Sequence, residues 1–78
     1  MDKARQGERR LAAQIPPAAF TVHEFCAAHR ISRALFYLLV RDGNGPRLLK
    51  AGRRTLVTAE AATDWRRRME AATSGARP

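Results

Sequence analysis

FTVHEFCAAHRISRALFYLLVR, residues 20–41, is the stretch on which the fold turns. It holds two helix starts separated by less than four turns of chain. Thr21-Val22-His23-Glu24 has the form of a capping box, in which the Thr hydroxyl takes the amide of the third helical residue and the Glu carboxylate reaches back to the Thr amide. Phe20 and Phe25 stand at the two positions of a hydrophobic staple, so both signals agree on one start. Val22, Phe25, Cys26 and His29 then follow i, i+3, i+4, i+7, and one stripe faces a core. That helix ends near His29 or Arg30. Ser32 is a good N-cap for a second helix, from Arg33 to about Arg41. Two short helices with so tight a link predict a helix-turn-helix.

Working outward toward the C-terminus, Asp42-Gly43-Asn44-Gly45-Pro46 breaks the second helix. Two short apolar-and-basic runs follow, Arg47 to Lys50 and Arg54 to Val57, with Ala51-Gly52-Arg53 between them. They read as a β-hairpin in which Gly52 supplies the positive φ of a tight turn. The hairpin carries Arg47, Lys50, Arg53 and Arg54 and no acid. Thr58 caps a last helix with Glu60 in its first turn. Ala61, Ala62, Trp65 and Met69 form its inner stripe, Arg66-Arg67-Arg68 a solvated face, and Asp64 and Arg68 an i, i+4 pair. The expected organisation is a flexible basic arm over residues 1–19, ended by Pro16-Pro17, a folded domain over 20–71 and a disordered tail over 72–78. The fold class is mainly α with a small β-hairpin wing: a winged helix-turn-helix of three helices and a two-stranded antiparallel wing.

Composition narrows the function. The chain has 78 residues, room for one domain with a modest core. Fifteen Lys+Arg against seven Asp+Glu give a net charge of +8. All the bases but Lys3 and Lys50 are Arg, whose planar fork of donors suits phosphate and guanine edges. Between Arg30 and Arg54 there are seven bases and one acid, Asp42. Such clustering on one structural unit points to a polyanion partner. Cys26 is the only cysteine, so no intramolecular disulfide forms. No apolar run approaches the length of a membrane helix, and no signal-peptide core is present, so a cytoplasmic protein is expected. His23, Cys26 and His29 do not make a zinc site, because the two histidines lie about 240° apart around a helix. No paired acids, phosphate loop or cofactor motif suggests catalysis, and no enzyme, cofactor or metal is expected.

From Phe20 to about Glu70 the chain resembles the AlpA/excisionase-like helix-turn-helix regulators, relatives of the MerR-type winged-helix domain. The resemblance is carried by Phe20-Thr21-Val22-His23-Glu24, Ile31-Ser32-Arg33 with Phe36-Tyr37, Gly45-Pro46-Arg47, Lys50-Ala51-Gly52-Arg53-Arg54 and Trp65. It implies a regulator of a phage or mobile element that binds double-stranded DNA. The second helix would enter the major groove, and the wing would lie on the adjacent backbone or minor groove. It also implies a homodimer or side-by-side copies on DNA, and contact with a recombinase or RNA polymerase. Two departures stand out. Arg30 occupies an inter-helix position where the family often has Gly, and Leu35 and Leu38 stand where similar proteins have polar residues.

The residues expected to bind DNA are Ser32, Arg33, Tyr37, Lys50, Gly52, Arg53 and Arg54. Arg33, in the first turn of the second helix, would hold a guanine edge bidentately, while Tyr37 would reach a phosphate or pack as a structural residue. Ser32 caps the helix and leaves backbone amides for a phosphate. Lys50, Arg53 and Arg54 surround the hairpin tip and suit phosphate or minor-groove contact. A helix apolar on nearly every face is usually covered on every face. Leu35 and Leu38 would therefore meet the N-terminal segment, another chain or thymine methyl groups. The alternative function is a protein-interaction adaptor docking a recombinase or a second copy through those leucines. RNA binding ranks last, since exposed aromatic pairs are lacking.

Overall fold

The computed structural model describes residues 18–75. Strand β1 (Ala19–Thr21) leads into helix α1 (Val22–His29), followed by helix α2 (Arg33–Arg41), strands β2 (Leu49–Ala51) and β3 (Arg54–Thr58), and helix α3 (Ala59–Gly75). The three helices are joined to a three-stranded antiparallel sheet in the order β1-β3-β2. No helix among the described residues is long and apolar enough to cross a membrane.

Both helix starts in residues 20–41 form as the sequence indicates. The Glu24 amide donates to Thr21 Oγ1 at 3.0 Å, and the Thr21 amide donates to Glu24 Oε1 at 2.9 Å, completing the capping box. The Leu35 amide donates to Ser32 Oγ at 3.0 Å and starts α2. Between the helices Arg30 is left-handed, at φ 58° and ψ 42°. Its amide bonds the Ala27 carbonyl at 3.3 Å, and the Ile31 amide bonds the Cys26 carbonyl at 3.0 Å. This pair of bonds is a Schellman motif, which satisfies the free carbonyls at a helix end. Glycine takes that conformation without strain, whereas Arg30 carries a cost of about 1 kcal/mol.

Phe25 is the hub of the core. It is fully buried and stacks on His29 at a centroid distance of 4.0 Å. It meets Trp65 at 5.3 Å, Phe36 at 5.5 Å and Phe20 at 6.5 Å, all edge-on. Cys26, Phe36, Val57, Ala61 and Ala62 close the cluster. Trp65 Nε1 donates to the Asn44 carbonyl at 2.8 Å, which fastens α3 to the loop after α2. Gly45 lies in that loop because a Cβ there would sit 2.7 Å from Val40 Cγ2.

Three expectations are corrected. The sheet has a third strand: Phe20 pairs with Val57 and Thr21 with Leu56, so β3 is central and the wing is not a free two-stranded ribbon. Three residues are too few to show an alternation, and their partner lies far along the chain. Within the described residues the second helix's outer leucines are half-exposed, Leu35 at 43% and Leu38 at 44%. Asp64 pairs with Arg47 at 2.9 Å rather than with Arg68, whose guanidinium donates to the Gly45 carbonyl at 3.1 Å. Finally, α3 continues to Gly75, so residues 72–75 are helical instead of a disordered tail, and Ala19 of the expected arm belongs to β1. The rest of that arm before residue 18, and residues 76–78, lie outside the described residues.

Candidate nucleic-acid interface

The candidate residues sit on two supports, the start of α2 and the tip of the β2–β3 hairpin. Ser32 is extended, at φ −80° and ψ 160°, and its hydroxyl is committed to the Leu35 amide. The amides of Arg33 and Ala34 are left without a carbonyl inside the helix, as the first amides of any helix are. No acid stands in the first turn of α2. Its positive end is therefore open to an anion.

Arg33 is exposed, and its Nη2 lies 3.3 Å from His23 Nδ1. A guanidinium only donates, so the imidazole nitrogen accepts. His23 thus steers Arg33 from the preceding helix, a role that no local spacing in the sequence announces. His29 is occupied elsewhere: its Nδ1 donates to the Phe25 carbonyl at 2.8 Å and its Nε2 accepts from Arg66 at 2.9 Å. No metal-ligating cluster occurs among the described residues. Tyr37 is 56% exposed, with its ring edge-on to Phe36 at 5.2 Å. This placement fits both a phosphate contact and a partly buried structural role.

In the hairpin, Ala51 pairs with Arg54, Lys50 with Thr55 and Leu49 with Leu56. Gly52 has φ 60° and Arg53 has no positive φ, the pattern of a two-residue type II′ turn. A Cβ on Gly52 would meet nothing within 4 Å, so its conformation and not crowding demands glycine there. Lys50 Nζ donates to Thr55 Oγ1 at 2.8 Å across the ladder. Side chains alternate along a strand, and directly paired residues share a face. Lys50 and Thr55 therefore lie on the face of Val57, Arg54 lies on the opposite face, and Arg53 stands at the tip. The hairpin carries a cation on each side and one at its end. Arg47 is not among them, since it lies before β2 and is paired with Asp64.

The strand register relates the two supports. Thr21, the last residue of β1, lies beside Leu56, so β2 and β3 project past β1 toward Arg53. Helix α1 starts at the end of β1, which sets His23 at the end of the sheet from which the hairpin projects. Through its bond to His23, Arg33 reaches that same end. From Leu56 to Arg54 is only two residues, about 7 Å of strand. Ion pairs among the described residues join Arg41 to Asp42 at 3.2 Å and Arg47 to Asp64, leaving Arg33, Lys50, Arg53 and Arg54 without an acid. No protein-family model, curated protein or solved structure matches the chain, and what it does is to be read from these residues.

Proposed function

We propose that the chain is a non-enzymatic double-stranded DNA-binding protein of the winged helix-turn-helix kind. It would act in the cytoplasm as a sequence-specific regulator or excision factor of a phage or mobile element, like the AlpA/excisionase-like proteins it resembles. Helix α2 enters the major groove by its N-terminal end, where helix-turn-helix proteins read bases. Arg33 addresses a guanine edge there, and Ser32 and Tyr37 meet the backbone. Lys50, Arg53 and Arg54 hold phosphates on either side of the hairpin, with Gly52 giving the turn its shape. The observation that carries this reading is the common end of the sheet shared by Arg33 and the acid-free hairpin tip.

The test is fluorescence anisotropy against a pool of random duplex DNA at several salt concentrations. Binding that weakens steeply as salt rises is expected, because each neutralised phosphate releases counterions. Failure to bind any duplex at low salt would remove the reading. The half-exposed Leu35 and Leu38 then favour a second one, an adaptor that docks a protein through α2. In that case Leu35→Asp would abolish association without unfolding the domain.

A further inference from the structure

Helix α2 divides its surface into rows of residues four apart, which lie above one another on a helix. Phe36 and Val40 form the inner row, with Phe36 fully buried and Val40 packed against the core. Arg33, Tyr37 and Arg41 form an exposed basic and polar row. Beside it, farthest from the core, runs an exposed row of Ala34 and Leu38. Leu35 flanks that row on the side where Leu39 returns to the core. Folding uses Phe36, Leu39 and Val40 and leaves Ala34 and Leu38 unexplained.

We propose that Ala34 and Leu38 recognise the C5-methyl groups of thymines in the major groove, so that the preferred site sets thymine beside the guanine held by Arg33. This rests on the DNA-binding reading above and specifies what the site reads. Thymine is the one unmodified base that offers an apolar group in the major groove, and apolar side chains are its natural contacts. The short side chain of Ala34, in the first turn, lets the helix approach closely, and Leu38 extends the contact one turn on. Charge favours DNA over other occupants of this face. The apolar row is bordered by Arg33 and Arg41, the first turn has no acid, and Asp42 is already paired with Arg41. A second copy would bring the same cations and a net charge of +8 against them. A major groove lined by phosphates meets the row and its border together.

The experiment uses the full chain and a duplex selected from a random pool. Each thymine in the site is replaced in turn by deoxyuridine, which removes only the methyl group. Binding of the wild type should fall about fourfold for each contacted methyl, the size of one buried methyl-sized group. Leu38→Ala should bind the thymine duplex more weakly and lose sensitivity to at least one replacement, while Arg53→Ala should keep the full sensitivity. Salt-dependent binding that is indifferent to every replacement overturns the methyl contact and leaves the DNA-binding reading intact. Binding to no duplex overturns both. A wild type that sediments as a dimer and a Leu38→Ala variant that sediments as a monomer, with no methyl sensitivity in either, assigns the row to a second copy.

Discussion

Helices α1 and α2 are nearly equal in length, at eight and nine residues, and each buries one phenylalanine completely. They differ on the side turned to solvent. Outside Phe25 and Cys26, α1 exposes His23, Glu24, Ala27 and Ala28, which are small or polar. Around Phe36, α2 exposes Leu35, Tyr37 and Leu38 beside Arg33 and Arg41. Burial alone accounts for the sequence of α1. For α2 burial among the described residues accounts for the inner row only, and the remainder is what the proposed DNA contact would explain.

The largest effect should fall where the two helices agree. Phe25→Ala and Phe36→Ala each remove a fully buried ring from one cluster and should each cost about 3–5 kcal/mol. For a domain of this size that is much of the total stability. Loss of the cooperative thermal transition by circular dichroism is expected for both. A Phe36→Ala variant that melts like the wild type would mean that α2 is held by something other than the core described here.

Where the helices differ, the readout is binding. Arg33→Ala should relax sequence preference by about 1–3 kcal/mol, the worth of a good bidentate base contact. Arg53→Ala should weaken specific and random duplexes alike and reduce the salt slope by about one. Titrations of both variants on both duplexes check the division. Equal losses on specific and random DNA for both would show that the helix and the hairpin do the same work.

The turn between the helices offers a smaller test. Arg30→Gly removes the left-handed strain at the Schellman position and should raise stability by up to about 0.6 kcal/mol after the entropy of glycine in the unfolded chain is counted. A melting temperature higher by a few degrees is expected. A lower one would mean that the Arg30 side chain contributes more than its backbone costs.

Legibility in the sequence followed the range of the interaction. The capping box at Thr21, the cap at Ser32 and the turn at Gly52 are settled by residues three or fewer apart, and all were readable. The last helix kept its stripe, with Ala61, Ala62 and Trp65 buried. The pairing of Phe20 with Val57, the bond from Arg33 to His23 and the ion pair from Arg47 to Asp64 span ten residues or more. No periodicity marks them, because they depend on how the elements meet. The candidate residues were therefore legible as types on two elements. Their common end of the molecule came only from the strand register and one hydrogen bond.

The smallest expected effect bears most directly on the contrast between the helices. Leu38→Gln replaces a half-exposed leucine with a polar residue of similar length and similar helix propensity. With little apolar area returned to water, the loss should stay within about 0.5 kcal/mol, as for most surface changes. A buried leucine truncated to alanine, by contrast, costs about 2–5 kcal/mol. Urea denaturation of the full chain at two protein concentrations measures the difference. A small, concentration-independent change leaves Leu38 uncovered in the free protein and available to a partner. A loss of about 2 kcal/mol would mean that the leucine is already covered: by a second copy if the loss varies with concentration, by residues 1–17 if it does not. Either result would make α2 like α1 after all, a helix whose sequence burial explains.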